Sequence, residues 1–399
     1  MNAKNIRSFV LASLTLCASV STSQAAFMTI DNTVDLYVLG MVSGTYDSNL
    51  FSVEDDPDSD YLFTISPGVE INVGRENNAR LNLRYTEDIR LYTTHTDLNT
   101  NVSNIRLLGR YDMTKLRLQL VTVFNQRATN APGTRSNNPS LRSDQVESFQ
   151  LSNTFDAEYD LTEKIFLSSG VGVDWTKFTN NEDFNRAFSD RARYSLPFDV
   201  LYRVTPDWSV GAGYRFSRTN VDGNRNQDFN DTVSSTNTHN FNLSLRGDVL
   251  PKVNVNARVG YSVRTVGANT EASSSDTLSA QLTATWQATQ KLSATVTAGH
   301  DFRTSSTGNT VLSRRASLGV TYNITERLVT NAAVGYTNTD FVDSSAEDHT
   351  IGASIEATYS FLRYLNASLQ YAISNNSSDG PAGRDFTRHL VTTSVGVRY

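Results

Sequence analysis

The chain has 399 residues, a net charge of -6 and a hydrophobic fraction of 38%. Beyond its N-terminal segment no apolar run reaches the roughly twenty residues that a membrane-spanning helix needs, so a helical-bundle membrane protein is excluded. Abundant Tyr (17) and Phe (19), 22 Gly and only 8 Pro favour strands over helices, and the absence of a basic patch facing solvent gives nucleic-acid binding no support.

The N-terminus has the form of a secretory signal. Lys4 and Arg7 supply the basic region, residues 9–20 the apolar core, and Ser23-Gln24-Ala25 a small-x-small cleavage site. Residues 1–25 are therefore expected to leave, with 26–399 as one domain. Cys17, the only cysteine, follows Leu16, which is not the small residue a lipoprotein site requires. It is expected to depart with the signal, which excludes disulfides and thiol catalysis in the mature chain.

From about Asp31 to Tyr399 the chain alternates apolar with polar residues in segments of about a dozen, the pattern of membrane strands. The first segment, 34–46, has apolar residues on both faces, and its inward side is not assignable from pattern. An acidic loop follows, with Glu54, Asp55, Asp56, Asp58 and Asp60. The second segment sets Tyr61, Phe63, Ile65, Pro67 and Val69 on one face and turns tightly at 74–77. The third opposes Leu81, Leu83 and Tyr85 to Arg80, Asn82 and Arg84. The clearest is the fifth, where Leu116, Leu118, Leu120 and Phe124 oppose Arg117, Gln119 and Asn125. Pro197 in the eighth predicts a bulge or weak ladder. The last segment ends on Val395, Val397 and Tyr399 against Ser394, Gly396 and Arg398.

Tight turns alternate with longer polar loops on one side only, unlike the fixed repeats of a propeller or solenoid. The segments number about eighteen, and sixteen or twenty would differ by one hairpin. Together they predict an all-β fold: a transmembrane, antiparallel, up-and-down β-barrel with both termini periplasmic, in the outer membrane of a Gram-negative cell, among its lipids and lipopolysaccharide.

Inverting the alternation gives the inward residues. Arginine leads: Arg84, Arg106, Arg110, Arg117, Arg193, Arg203, Arg215, Arg246, Arg258, Arg264 and Arg315 are the candidates for lumen selectivity. Guanidinium groups favour anions and bind carboxylate or phosphate as a fixed fork. Inward Glu70, Asp156, Glu158, Asp174, Asp199 and Asp301 offer the alternative that the arginines are paired and stiffen the wall. A barrel this wide leaves a channel that strand side chains cannot close. The loops 128–143 and 221–236, carrying Arg135, Arg142, Asp144, Asp222 and Arg225, are expected to narrow it or else to lie on the surface. No folded plug precedes the first strand, which disfavours a siderophore-type transporter.

Other chemistry finds little support. His95, His239, His300, His349 and His389 stand singly, so neither a metal site nor a cofactor is expected. The acidic loop lacks the glycine and distal glutamate of a calcium loop and is expected to be solvated, in reach of cation-bridged lipopolysaccharide. No nucleophile elbow or phosphate-binding glycine loop occurs, so no enzyme is expected.

The first hairpins carry a resemblance. Gly44-Thr-Tyr-Asp-Ser-Asn-Leu-Phe51, then Phe63-Thr-Ile-Ser-Pro-Gly-Val69, then Arg80-Leu-Asn-Leu-Arg-Tyr85 resemble the putative β-barrel porin 2 family over the first quarter of the chain. The resemblance implies an outer-membrane protein encoded among exopolysaccharide biosynthesis genes. It therefore implies a porin-like conduit for polysaccharide export; taken with the Arg-lined wall, the expected partners are an anionic polysaccharide and periplasmic export partners. A diffusion porin for small anionic solutes and a non-transporting barrel for adhesion or scaffolding fit the same pattern.

Overall fold

The computed structural model describes residues 26–31, 33–74, 77–130, 145–179, 188–222, 234–267, 273–306, 308–342, 345–380 and 383–399. The signal segment 1–25, Cys17 included, lies outside them. The strands are β1 (Met28–Ile30), β2 (Val34–Asp47), β3 (Asp60–Val73), β4 (Ala79–Tyr92), β5 (Thr100–Asp112), β6 (Leu116–Asn130), β7 (Gln145–Asp160), β8 (Ile165–Phe178), β9 (Arg191–Arg203), β10 (Trp208–Val221), β11 (Ser234–Leu250), β12 (Val253–Gly267), β13 (Ser273–Gln287), β14 (Leu292–Thr304), β15 (Thr310–Asn323), β16 (Leu328–Phe341), β17 (Glu347–Leu362), β18 (Leu365–Asp379) and β19 (Phe386–Arg398).

Each of β2 to β19 pairs antiparallel with its neighbours, and β19 returns to β2, so eighteen strands close a barrel. Closure satisfies every edge, which an open sheet in lipid cannot do. The barrel strands run from 13 to 17 residues. At ~3.3 Å per residue and a tilt of ~45° they span about 30 Å, enough for a hydrocarbon core. Short connections lie at one mouth together with both ends of the chain, where Val38 and Tyr399 exchange backbone hydrogen bonds of 2.7 and 3.0 Å. Beyond the end of β19, β1 covers the freed edge of β2 at Val34–Leu36.

The outer face is apolar. Leu243 and Leu278 are each 69% exposed, while Ser244 and Ser279 beside them are buried. β2 resolves its ambiguity in favour of odd residues inward: Tyr37 and Leu39 are buried and Val38 and Val42 exposed. Tyr37 is inward because it carries a cation. The Arg398 guanidinium sits 3.7 Å from its ring centre and pairs with Glu70 at 2.9 Å.

Pro197 weakens its ladder without a bulge. β8 and β9 pair at Ser169↔Phe198 and again at Gly172↔Ser195 in unchanged register, with the rungs between lost. Pro67 opens a similar gap between β3 and β4, since proline has no N–H to give.

Asp60 corrects the expectation that the acidic loop is merely solvated. Its carboxylate is buried and accepts from Thr93 Oγ1, from the N–H groups of Thr94 (3.1 Å) and His95 (2.9 Å), and bonds His95 Nδ1 (3.1 Å). Above it Leu50 and Phe51 pack on Tyr92 and Leu98, tying the loop after β2 to the 3-10 turn Thr96–Leu98. Glu54, Asp55, Asp56 and Asp58 remain exposed. Asp60→Ala would strand several buried donors at about 1–3 kcal/mol each. Limited proteolysis will cut residues 48–59 far faster in this variant, while the barrel keeps its folded electrophoretic mobility.

Candidate lumen site

Strand alternation aims side chains from β5 to β12 into one cavity of about 590 Å³. Around it stand Arg110, Arg117, Arg193, Arg215, Arg246 and Arg258, with Asp156, Glu158 and Asp174 as the acids. Their places follow from register: Arg117 faces Glu158 across β6 and β7, and Arg193 faces Asp174 across β8 and β9.

Half of these arginines are held by carboxylates from other strands. Arg117 approaches Glu158 at 3.4 Å and Asp160 at 3.7 Å, and Arg258 approaches Asp199 at 3.4 Å. Arg246 of β11 bonds Glu158 of β7. These strands are four positions apart around the wall, so this contact bridges one side of the lumen. Arg110 pairs locally with Asp112 at 2.7 Å. Arg193 and Arg215 have no described carboxylate within ion-pair distance. Pairs open to water contribute little stability, about 0–1 kcal/mol each. Their effect is to fix which guanidiniums are neutralised and which still face the channel.

Gly213 permits one of these contacts. A Cβ there would lie 1.8 Å from Asp199 Oδ1, so only glycine lets that carboxylate fold over β10 toward Arg258. Gly213→Ala will displace it and separate the pair, lowering stability by about 1–2 kcal/mol in urea titrations of the reconstituted barrel.

The other candidates lie elsewhere on the inner face. Arg84 and Arg106 face each other across β4 and β5, beside Glu70. Arg203 is nearer the short-turn mouth, bonded to Asp160 and lying 4.6 Å from the Phe166 ring centre. Arg264 is buried at the long-loop end, and Arg315 lies over Gly299. Asp112 and Asp160 escaped notice in the sequence because both adjoin tight turns and pass for turn residues.

Of the loops expected to narrow the channel, residues 131–144 and 223–233 lie outside the described residues, and Arg135, Arg142, Asp144 and Arg225 with them. The histidines are not all single. Glu347, His349 and Asp379 bring ligand atoms within 4.8 Å of one another, at the long-loop rim. His239, His349 and His389 each bond a tyrosine hydroxyl, of Tyr214, Tyr336 and Tyr371, at 2.7 to 2.9 Å. Tyr336 and Tyr371 are exposed on the outer face, as an interfacial aromatic girdle requires.

Comparison with known proteins agrees with this architecture. Residues 40–399 match the family model described as putative beta-barrel porin 2. The FrpB iron transporter from Neisseria meningitidis (F5-1 variant) is similar with a TM-score of 0.50 and 9% identity, over 92% of this chain and 83% of that one. The outer membrane protein opdK from Pseudomonas aeruginosa aligns over 92% of this chain and 99% of its own, at 11% identity and a TM-score of 0.44. At such identity the likeness to FrpB is one of fold. No curated protein matches the chain.

Proposed function

The chain belongs to the putative β-barrel porin 2 family, and we propose from that membership and from its lumen that it is an outer-membrane conduit exporting an anionic exopolysaccharide. The observation that carries this reading is the cavity wall inside a closed barrel, where Arg193 and Arg215 line the lumen with no described carboxylate within ion-pair distance, although the whole chain is acidic. An anionic polymer passing there exchanges water for guanidinium forks at successive acidic groups. The mouth with the short turns and both chain ends faces the periplasm, where export partners deliver the polymer. The longer loops face outward, among lipopolysaccharide. Residues 1–25 are removed on secretion, so mass spectrometry of the purified protein will find Ala26 at its N-terminus.

Deleting the gene will abolish surface polysaccharide, and re-expression will restore it. Unchanged secretion in the deletion strain sinks the export reading. A second reading, a diffusion porin for small anionic solutes, is favoured by the Arg246–Glu158 contact, which narrows the lumen. It predicts steady anion-selective channels and no polysaccharide phenotype.

A further inference from the structure

Toward the long-loop mouth the wall parts between β13 and β14. They pair from Gln287↔Ser293 to Ala280↔His300 and no further. β13 stays on β12 as far as Val266↔Ser273, and β14 stays on β15 as far as Thr304↔Thr310. Released from β13, the tip of the β14–β15 hairpin turns inward. Phe302, which alternation would give to lipid, is buried, 5.9 Å from the Arg264 guanidinium on the inner face of β12. Arg264 also donates to the Arg303 carbonyl (3.3 Å) and to Thr304 Oγ1 (3.2 Å).

A separate stretch of the wall holds the same tip. Arg191, at the start of β9, donates to the carbonyls of Thr304 (3.3 Å) and Ser305 (2.7 Å). The Ser189 N–H donates to the Ser306 carbonyl at 2.9 Å. β9 and β14 are five positions apart around the barrel, so these bonds cross the mouth. Ser189 is itself anchored, because Phe188 stacks on Phe178 with ring centres 4.9 Å apart. Gly308 closes the approach with φ of 88°; a Cβ there would lie 2.9 Å from Val221 Cγ1 and 3.1 Å from Ser189 Oγ. The tip delivers charge as well: Arg303 lies within electrostatic reach of Arg315, Arg193 and Arg191, offset by Asp301.

We propose that this infolded hairpin tip is the constriction of the pore, and that Arg303, with Arg191, Arg193 and Arg315, makes it a filter for solutes bearing carboxylate or phosphate groups. The inference rests on the conduit reading and names the part that sets its bore and selectivity. Crowded guanidiniums repel one another and are relieved by a passing anion.

Two variants of the full chain in planar bilayers test it. In Ser189→Cys/Ser306→Cys, mild oxidation will form a disulfide in the folded barrel and leave conductance at the wild-type level. In Arg191→Ala/Arg264→Ala the clamps are gone, and single-channel conductance will rise about two-fold or more. Adding the oxidised cysteine pair to that variant will restore the wild-type value. A folded barrel that forms no cross-link, or a clamp variant that conducts like a conducting wild type, overturns the constriction and leaves the conduit reading standing. Silence of wild type and clamp variant alike defeats the conduit reading and the constriction with it.

Discussion

Arg193→Glu/Arg215→Glu will turn the channel from anion-preferring to cation-preferring. Both residues line the cavity, and neither has a described carboxylate within ion-pair distance, so each keeps its positive charge directed at a passing ion. Reversing both changes the local charge by four units. At ~6–8 Å, with an effective dielectric of ~40, each unit contributes about 1 kcal/mol. The anion-to-cation permeability ratio will therefore fall more than about tenfold. The reversal potential across a salt gradient measures this directly. Arg246 is the instructive contrast. Its loss exposes Glu158, which Arg117 still holds at 3.4 Å, so Arg246→Ala will move the ratio far less. A double variant whose reversal potential matches wild type overturns the assignment of these residues to the selectivity of the lumen.

Leu243→Arg will destabilise the barrel by about 2–4 kcal/mol, the cost of an arginine on the lipid face near the bilayer midplane. Leu243 stands midway along β11 and is 69% exposed on the outer wall. Gln119→Arg is the control, since Gln119 lines the cavity and its arginine would remain in water. Urea titration in liposomes, read by heat-modifiable mobility, should lower the midpoint of the first variant and leave that of the second unchanged. Equal effects would mean that the two faces do not meet different solvents.

Family membership and closed-barrel architecture support the transport reading together, and the lumen gives it chemical content. The ion pairs from β7 to β11 and from β9 to β12 show why counting inward arginines overstates the free charge. Arg117 and Arg246 share Glu158, and Arg258 is paired with Asp199, whereas Arg193 and Arg215 have no described carboxylate within ion-pair distance. Arginines with and without an ion-pair partner therefore coexist in the same cavity.

The sequence by itself determined whatever depends on neighbours along the chain. Side chains alternate faces with a period of two, so Leu118 outward and Arg117 inward followed from residue order, and the spacing of tight turns yielded the strand count. β2 failed that test because Tyr37 and Leu39 are apolar yet face inward, Tyr37 beneath the Arg398 cation. Only the tertiary structure decided contacts between segments apart in sequence: Arg246 with Glu158, Asp60 under the loop after β4, and the β14–β15 tip bonded to Ser189 and Arg191. These depend on the cross-section that all eighteen strands set together and on where the wall parts between β13 and β14. Alternation within one strand carries no information about what stands on the opposite wall.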